Sequence, residues 1–140
     1  METYLGACHC GELTIEYRTD LPLSRWPLRE CQCSFCRKHM MLSTSDPDGE
    51  VVVRSRSSAA LNRYRFGTGV TDFIVCALCG VYVGATVMGD RWMVINARAM
   101  DCAPALAGRV AEPRVYDNES AEERIEHRRR MWSRCTVHEA

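Results

Sequence analysis

The sequence predicts a mainly β protein of short strands with a C-terminal helix, and three observations carry that expectation. Apolar residues alternate with polar ones at Leu13, Ile15 and Tyr17, the period of a half-buried strand. Short β-branched and aromatic runs follow one another along the middle of the chain, separated by glycine-rich turns. Near the end, Ser120-Ala121-Glu122-Glu123 has the form of a capping box and opens a helical pattern.

Taken in order, the first strand is the 13–17 alternation and the second is Val51-Val52-Val53, reached through an exposed loop at 46–49. After a serine-rich loop at 55–58, four further strands are expected at 61–66, 72–76, 81–87 and 92–95. Gly67-Thr68-Gly69, Cys79-Gly80 and Gly89-Asp90 punctuate them, which implies antiparallel connections. Pro104 and Pro113 interrupt the strand pattern. The helix then runs over about 121–133, its acidic residues first and Arg128, Arg129 and Arg130 last, an order that suits the helix dipole. Glu126 lies four residues before Arg130, and Ile125 and Trp132 are placed to face the body of the protein. The arginine cluster reads as a solvated helix face rather than a phosphate site.

A chain of 140 residues, 46% hydrophobic, supports one sizeable core. Its 18 basic and 18 acidic residues cancel, so no global field draws it to nucleic acid or an anionic membrane, and a small local ligand is expected instead. The first residues have no basic segment leading into an apolar run, and no stretch reaches the roughly 18 apolar residues of a membrane span. The expected location is cytoplasmic. A homo-oligomer is compatible with the sequence, which does not specify the oligomeric state.

In a reducing compartment nine cysteines point to metal rather than disulfides. Seven of them fall in three tight groups: Cys8 and Cys10; Cys31, Cys33 and Cys36; Cys76 and Cys79. Zinc favours four tetrahedral ligands, and a structural site is commonly built from two close pairs far apart in the chain. Cys8 and Cys10 with Cys76 and Cys79 fit that description, Gly80 allowing the backbone to turn past the sulfurs. Cys31, Cys33 and Cys36 come from one short segment and leave a fourth vertex open, the mark of catalytic zinc. The expectation is two zinc ions per chain, one structural and one catalytic. His39, three residues after Cys36, is the alternative fourth ligand that would make both sites structural. An iron–sulfur cluster suits the residue types but not the two separated groups. His9 is read as non-ligating, and Cys102 and Cys135 as a packed thiol and an incidental one.

These residues resemble the glutathione-dependent formaldehyde-activating family, which includes centromere protein V and has the β-tent fold. The resemblance runs from Gly6-Ala7-Cys8-His9-Cys10-Gly11 through Cys31-Gln32-Cys33-Ser34-Phe35-Cys36-Arg37-Lys38, then residues 61–64 and 73–80, to Val94-Ile95-Asn96-Ala97-Arg98-Ala99-Met100-Asp101. It implies a zinc-binding β-tent domain over 1–103, with 104–140 as a C-terminal extension carrying the Arg-rich helix. It implies the same division of metals, with Cys31, Cys33 and Cys36 catalytic. The implied activity is the joining of formaldehyde and glutathione to S-hydroxymethylglutathione, formally a carbon–sulfur lyase reaction run toward addition. Residues after Asp101 and those at 46–60 match no motif of the family. For a carboxylate-bearing thiol such as glutathione, Arg37, Lys38 and the arginines between 54 and 65 are candidate partners, against the ordinary reading of solvated surface charge. The competing function is a non-catalytic, zinc-stabilised binding module for a protein or nucleic acid.

Overall fold

Alternation along the strands sets the inner face of the sheet. The computed structural model describes all 140 residues. In β2 (Leu13–Thr19), Leu13, Ile15, Tyr17 and Thr19 are buried while the residues between them reach outward. β2 lies antiparallel between β1 (Glu2–Ala7) and β5 (Glu50–Ser55), with Ile15 opposite Val53. Tyr17 packs edge-on against the fully buried Trp26, 5.1 Å between ring centroids, at the centre of the main core.

The middle of the chain forms the expected antiparallel meander: β6 (Leu61–Tyr64), β7 (Thr71–Cys76), β8 (Tyr82–Val87) and β9 (Trp92–Asn96). The strand expected over 61–66 stops at Tyr64, because the carbonyl of Phe66 closes a turn by accepting from the Gly69 amide at 3.1 Å.

The sheet forks at β9. One edge of that strand pairs with β8, while the other is shared. Trp92 and Met93 pair with β11 (Ser133–His138), and Ile95 and Asn96 pair with β4 (Ser43–Thr44). From β4 the sheet continues to β3 (Arg29–Cys31) and β10 (Glu112–Arg114). The crotch of the fork is stitched by Ser133, whose Oγ donates to the Asp46 carbonyl at 2.8 Å and accepts from the Asp46 amide at 2.9 Å. The open, forked arrangement of eleven strands is the expected β-tent.

Three local features depart from the expectation. The pairings of β11 with β5 and of β10 with β3 are parallel, in a sheet that is otherwise antiparallel. The segment 31–36, for which no strand or helix was expected, is the end of β3, a cap at Cys33 and the start of helix α1 (Ser34–His39). The C-terminal helix α2 (Ala121–Met131) begins with the expected capping box: Ser120 Oγ accepts from the Glu123 amide, and Glu123 Oε1 accepts from the Ser120 amide. It ends before Ser133, since Trp132 turns to extended geometry (φ −87°, ψ 160°) and leads into β11. In that strand Ser133 is buried and Cys135 and Val137 are half-buried, alternating with exposed residues, a two-residue period the helical reading of 121–133 obscured. The residues after 104 thus contribute β10 and β11 to the same sheet. No helix is long and apolar enough to cross a membrane.

A second, smaller core lies between the meander and α2, built on Cys36, Met41, Phe73, Tyr82, Val94 and Trp132. Each group of clustered cysteines contributes to a different core: Cys8 and Cys76 to the first, Cys36 to the second.

Candidate metal centres and the adjoining pocket

Cys8, Cys10, Cys76 and Cys79 come together although Cys10 and Cys76 are 66 residues apart in the chain; all four sulfurs are within 4.8 Å of one another. Cys8 and Cys10 leave the end of β1 through a turn closed by the Gly11 amide on the Cys8 carbonyl at 3.2 Å. Cys76 ends β7, and the Gly80 amide bonds back to the Cys76 carbonyl at 2.8 Å. Gly80 takes a φ of 84°, the left-handed geometry for which glycine was expected after Cys79. The Sγ of Cys10 lies 3.6 Å from that of Cys8 and 3.7 Å from that of Cys76. Four thiolates about 2.3 Å from a tetrahedral centre stand about 3.8 Å apart, so the group fits a closed zinc site. The Leu13 amide points at Cys8 Sγ from 3.3 Å, a donor suited to a thiolate.

Cys31, Cys33 and Cys36 form the second group, their sulfurs also within 4.8 Å of one another. Cys31 closes β3, Cys33 caps α1 by accepting from the Cys36 amide at 3.3 Å, and Cys36 points inward from the first turn toward Met41 and Tyr82. Hydrogen bonds from the Cys31 and Cys36 thiols, joined by the backbone amides of Cys36 and Phe35, hold the Cys33 thiol well below its ordinary range. The same contacts push Cys31 and Cys36 up. Three soft sulfurs converging from one segment suit zinc as well. His39, the alternative fourth ligand, stands outside the group: it is exposed, its ring against Phe35 at 4.3 Å and Tyr82 at 5.4 Å. His9 is exposed and likewise outside. Cys102 and Cys135 pack partly buried against the main core, Cys135 Sγ 3.6 Å from Met93 Sδ.

The two groups differ in what lies beside them. Cys31, Cys33 and Cys36 form one wall of a cavity of about 350 Å³. Phe66, Phe73, Tyr82 and Trp132 supply its apolar lining, and Arg29, Arg128 and His127 its principal polar groups. His127 Nδ1 is 3.1 Å from Glu119 Oε2, which fixes the ring by a carboxylate.

This overturns part of the solvated-face reading of the arginine cluster. Arg129 and Arg130 are exposed, and Arg129 pairs with Glu126 at 3.2 Å. Arg128 is only 9% exposed; it donates to Thr71 Oγ1 and stacks on Trp132, with 4.6 Å from its guanidinium carbon to the ring. Its position four residues before Trp132, on the face expected to pack, was the available signal. Nor do the arginines between 54 and 65 reach the pocket: Arg54 pairs with Glu16, Arg63 with Asp72, Asp90 and Glu139, and Arg65 with Asp72. Arg37 and Lys38 are exposed on α1. Arg29, which the sequence did not single out, is the other buried cation beside the cysteines.

A forked β sheet with two converging thiol clusters that could each hold a metal ion, one closed and one facing a cavity, defines a protein of the β-tent class. The chain belongs to the glutathione-dependent formaldehyde-activating enzyme family, whose model matches residues 3–116. A crystal structure of a Rhodobacter sphaeroides protein is similar at 25% identity, aligning over 80% of this chain and 99% of its own with a TM-score of 0.59. No curated protein matches the sequence. The family match extends past the motif ending at Asp101 to Tyr116, while most of the α2 side of the cavity, including His127 and Arg128, lies beyond it.

Proposed function

We propose that the protein is a zinc-dependent, carbon–sulfur lyase-like enzyme that adds a thiol, glutathione or a similar one, to formaldehyde or another small aldehyde. The observation that carries this reading is the placement of Cys31, Cys33 and Cys36 on the wall of a largely apolar cavity, while the other four clustered cysteines satisfy one another. In this reading Cys8, Cys10, Cys76 and Cys79 hold a structural zinc and Cys31, Cys33 and Cys36 a catalytic one. Zinc at the three-cysteine site would supply Lewis acidity toward a thiol or a carbonyl oxygen.

The chain's own residues account for the rest. Addition forms one bond between sulfur and the aldehyde carbon; the carbonyl π pair moves to oxygen, and the thiol proton ends there. With Nδ1–H donated to Glu119, the other ring nitrogen of His127 is an acceptor suited to take that proton and return it to the oxygen. Phe66, Phe73 and Trp132 keep the cavity apolar and limit access of water to the reacting carbonyl. The competing reading, a non-catalytic binding module, leaves the cysteine-lined cavity without a use. Nine free thiols and a glutathione-type substrate fit a cytoplasmic setting.

The test is exchange spectroscopy between formaldehyde and its glutathione adduct, because the uncatalysed addition is already fast and a change in exchange rate is the informative signal. Zinc-loaded protein should accelerate the exchange. A protein carrying two zinc ions that accelerates it for no small thiol contradicts the proposal.

A further inference from the structure

Two guanidinium groups in the cysteine-lined cavity have no carboxylate partner. Arg29 and Arg128 are each 9% exposed, and neither forms an ion pair, whereas Arg54, Arg63, Arg65, Arg114, Arg124 and Arg129 all do. Arg29 donates to Ser45 Oγ at 2.6 Å and Arg128 to Thr71 Oγ1, both neutral acceptors. A guanidinium has five N–H donors, so one side-chain hydroxyl each leaves most of them for another ligand. Burying a charge without a counter-ion is costly, and the structure does so twice in one cavity.

The fold brings these two arginines to one place by separate routes. Arg29 comes from β3, two residues before Cys31, and Arg128 from α2. Ser45 ties them: the hydroxyl that accepts from Arg29 donates to the carbonyl of Met131 at 2.8 Å, at the end of the helix that carries Arg128. The cavity's acidic residues do not neutralise them. Glu119 is engaged by His127 at 3.1 Å and by Arg124 at 3.8 Å, and Asp117 is exposed. The cysteines account for only part of the charge: three thiolates around one divalent ion keep a single net negative charge, and two guanidiniums exceed it by one.

We infer that Arg29 and Arg128 form the subsite of the pocket that holds the carboxylate of the thiol substrate. The inference rests on the thiol–aldehyde reading of the site and deepens it by naming the residues that select the thiol. Planar guanidiniums match carboxylate oxygens in geometry as well as charge. Arg29 lies within residues 3–116 and Arg128 beyond them, so the subsite joins the part of the chain matched by the family model to the α2 wall.

The test compares 3-mercaptopropionate with 3-mercaptopropionamide, which has nearly the same shape and no charge, as ligands of the zinc-loaded wild-type protein. Binding is read by calorimetry and by tryptophan fluorescence, to which Trp132, stacked on Arg128, contributes with Trp26 and Trp92. The acid should bind at least about tenfold more tightly than the amide, as expected for charge-assisted hydrogen bonds. Arg128→Gln should remove most of that preference and Arg128→Lys should retain part of it, with zinc content unchanged in both. Equal binding of acid and amide by the wild-type protein overturns the inference, and that comparison needs no variant to fold. If glyoxylate outbinds glycolaldehyde in an Arg128-dependent way while the two thiols bind equally, the carboxylate arrives on the aldehyde and the thiol assignment is overturned. The reading beneath is tested separately: acid preference without accelerated thiol–aldehyde exchange leaves this subsite standing and removes the reaction, whereas accelerated exchange with no acid preference does the reverse.

Discussion

The sulfurs of Cys10 and Cys76, 66 residues apart in the chain, lie 3.7 Å from one another. That contact joins the turn after β1 to the end of β7, and Cys8 and Cys76 are both buried in the main core. A metal at this group is therefore a cross-link between distant strands, and its binding energy is folding energy.

Cys76→Ser should accordingly unfold or aggregate the protein. It removes one thiolate from a closed site whose metal-coupled folding energy is roughly 10 kcal/mol or more. A strong chelator should act in the same direction. Zinc analysis and thermal melting check both; a variant with parental zinc content and melting temperature contradicts the assignment of this group as structural.

Arg129 and Arg130 should be separable from Arg128. Replacing the first two by alanine removes exposed charge and one surface ion pair, for a stability change within about 0.5 kcal/mol. Arg128→Ala removes a buried hydrogen bond to Thr71 and the stacking on Trp132, for a loss of about 1–3 kcal/mol. Denaturant unfolding of the two variants distinguishes them, and equal midpoints contradict the burial argument.

His127→Gln should slow thiol–aldehyde exchange by about 100-fold or more while leaving zinc content intact, if its ring moves the proton. Glu119→Gln should reproduce part of the loss, since Glu119 orients the ring from 3.1 Å. Unchanged exchange in His127→Gln assigns the proton transfer elsewhere.

Much of this was legible in the sequence because it was local. Period-two alternation found β2, β-branched and aromatic runs between glycine turns found the meander, and the spacing of Cys8, Cys10, Cys76 and Cys79 singled out four cysteines whose convergence needs only strand ends to meet. The capping box located the start of α2 to the residue. What was not legible depends on the fork at β9. β11 lies past the expected helix, where no element was expected, and its parallel pairing with β5 has no hairpin turn to announce it. The pocket wall is assembled from Arg29, Thr71, Arg128 and Trp132, which lie in three separate parts of the chain and meet only once β4 and β11 share the edge of β9. A run of three arginines looks solvated until one of them is seen to share a face with Trp132.

The central claim is that the two cysteine groups divide the work, one holding the fold and the other the chemistry, and the variant Cys33→Ala tests it most directly. Cys33 is half-buried at the cap of α1, and removing it opens the three-cysteine group without touching the cross-link between β1 and β7. The measurement is the rate of exchange between formaldehyde and its glutathione adduct, taken together with zinc per chain. Wild type should hold two zinc ions and accelerate exchange, and Cys33→Ala should stay folded with one zinc ion and exchange at the uncatalysed rate. A folded Cys33→Ala protein that still accelerates exchange, or one that unfolds as Cys76→Ser does, would contradict that division.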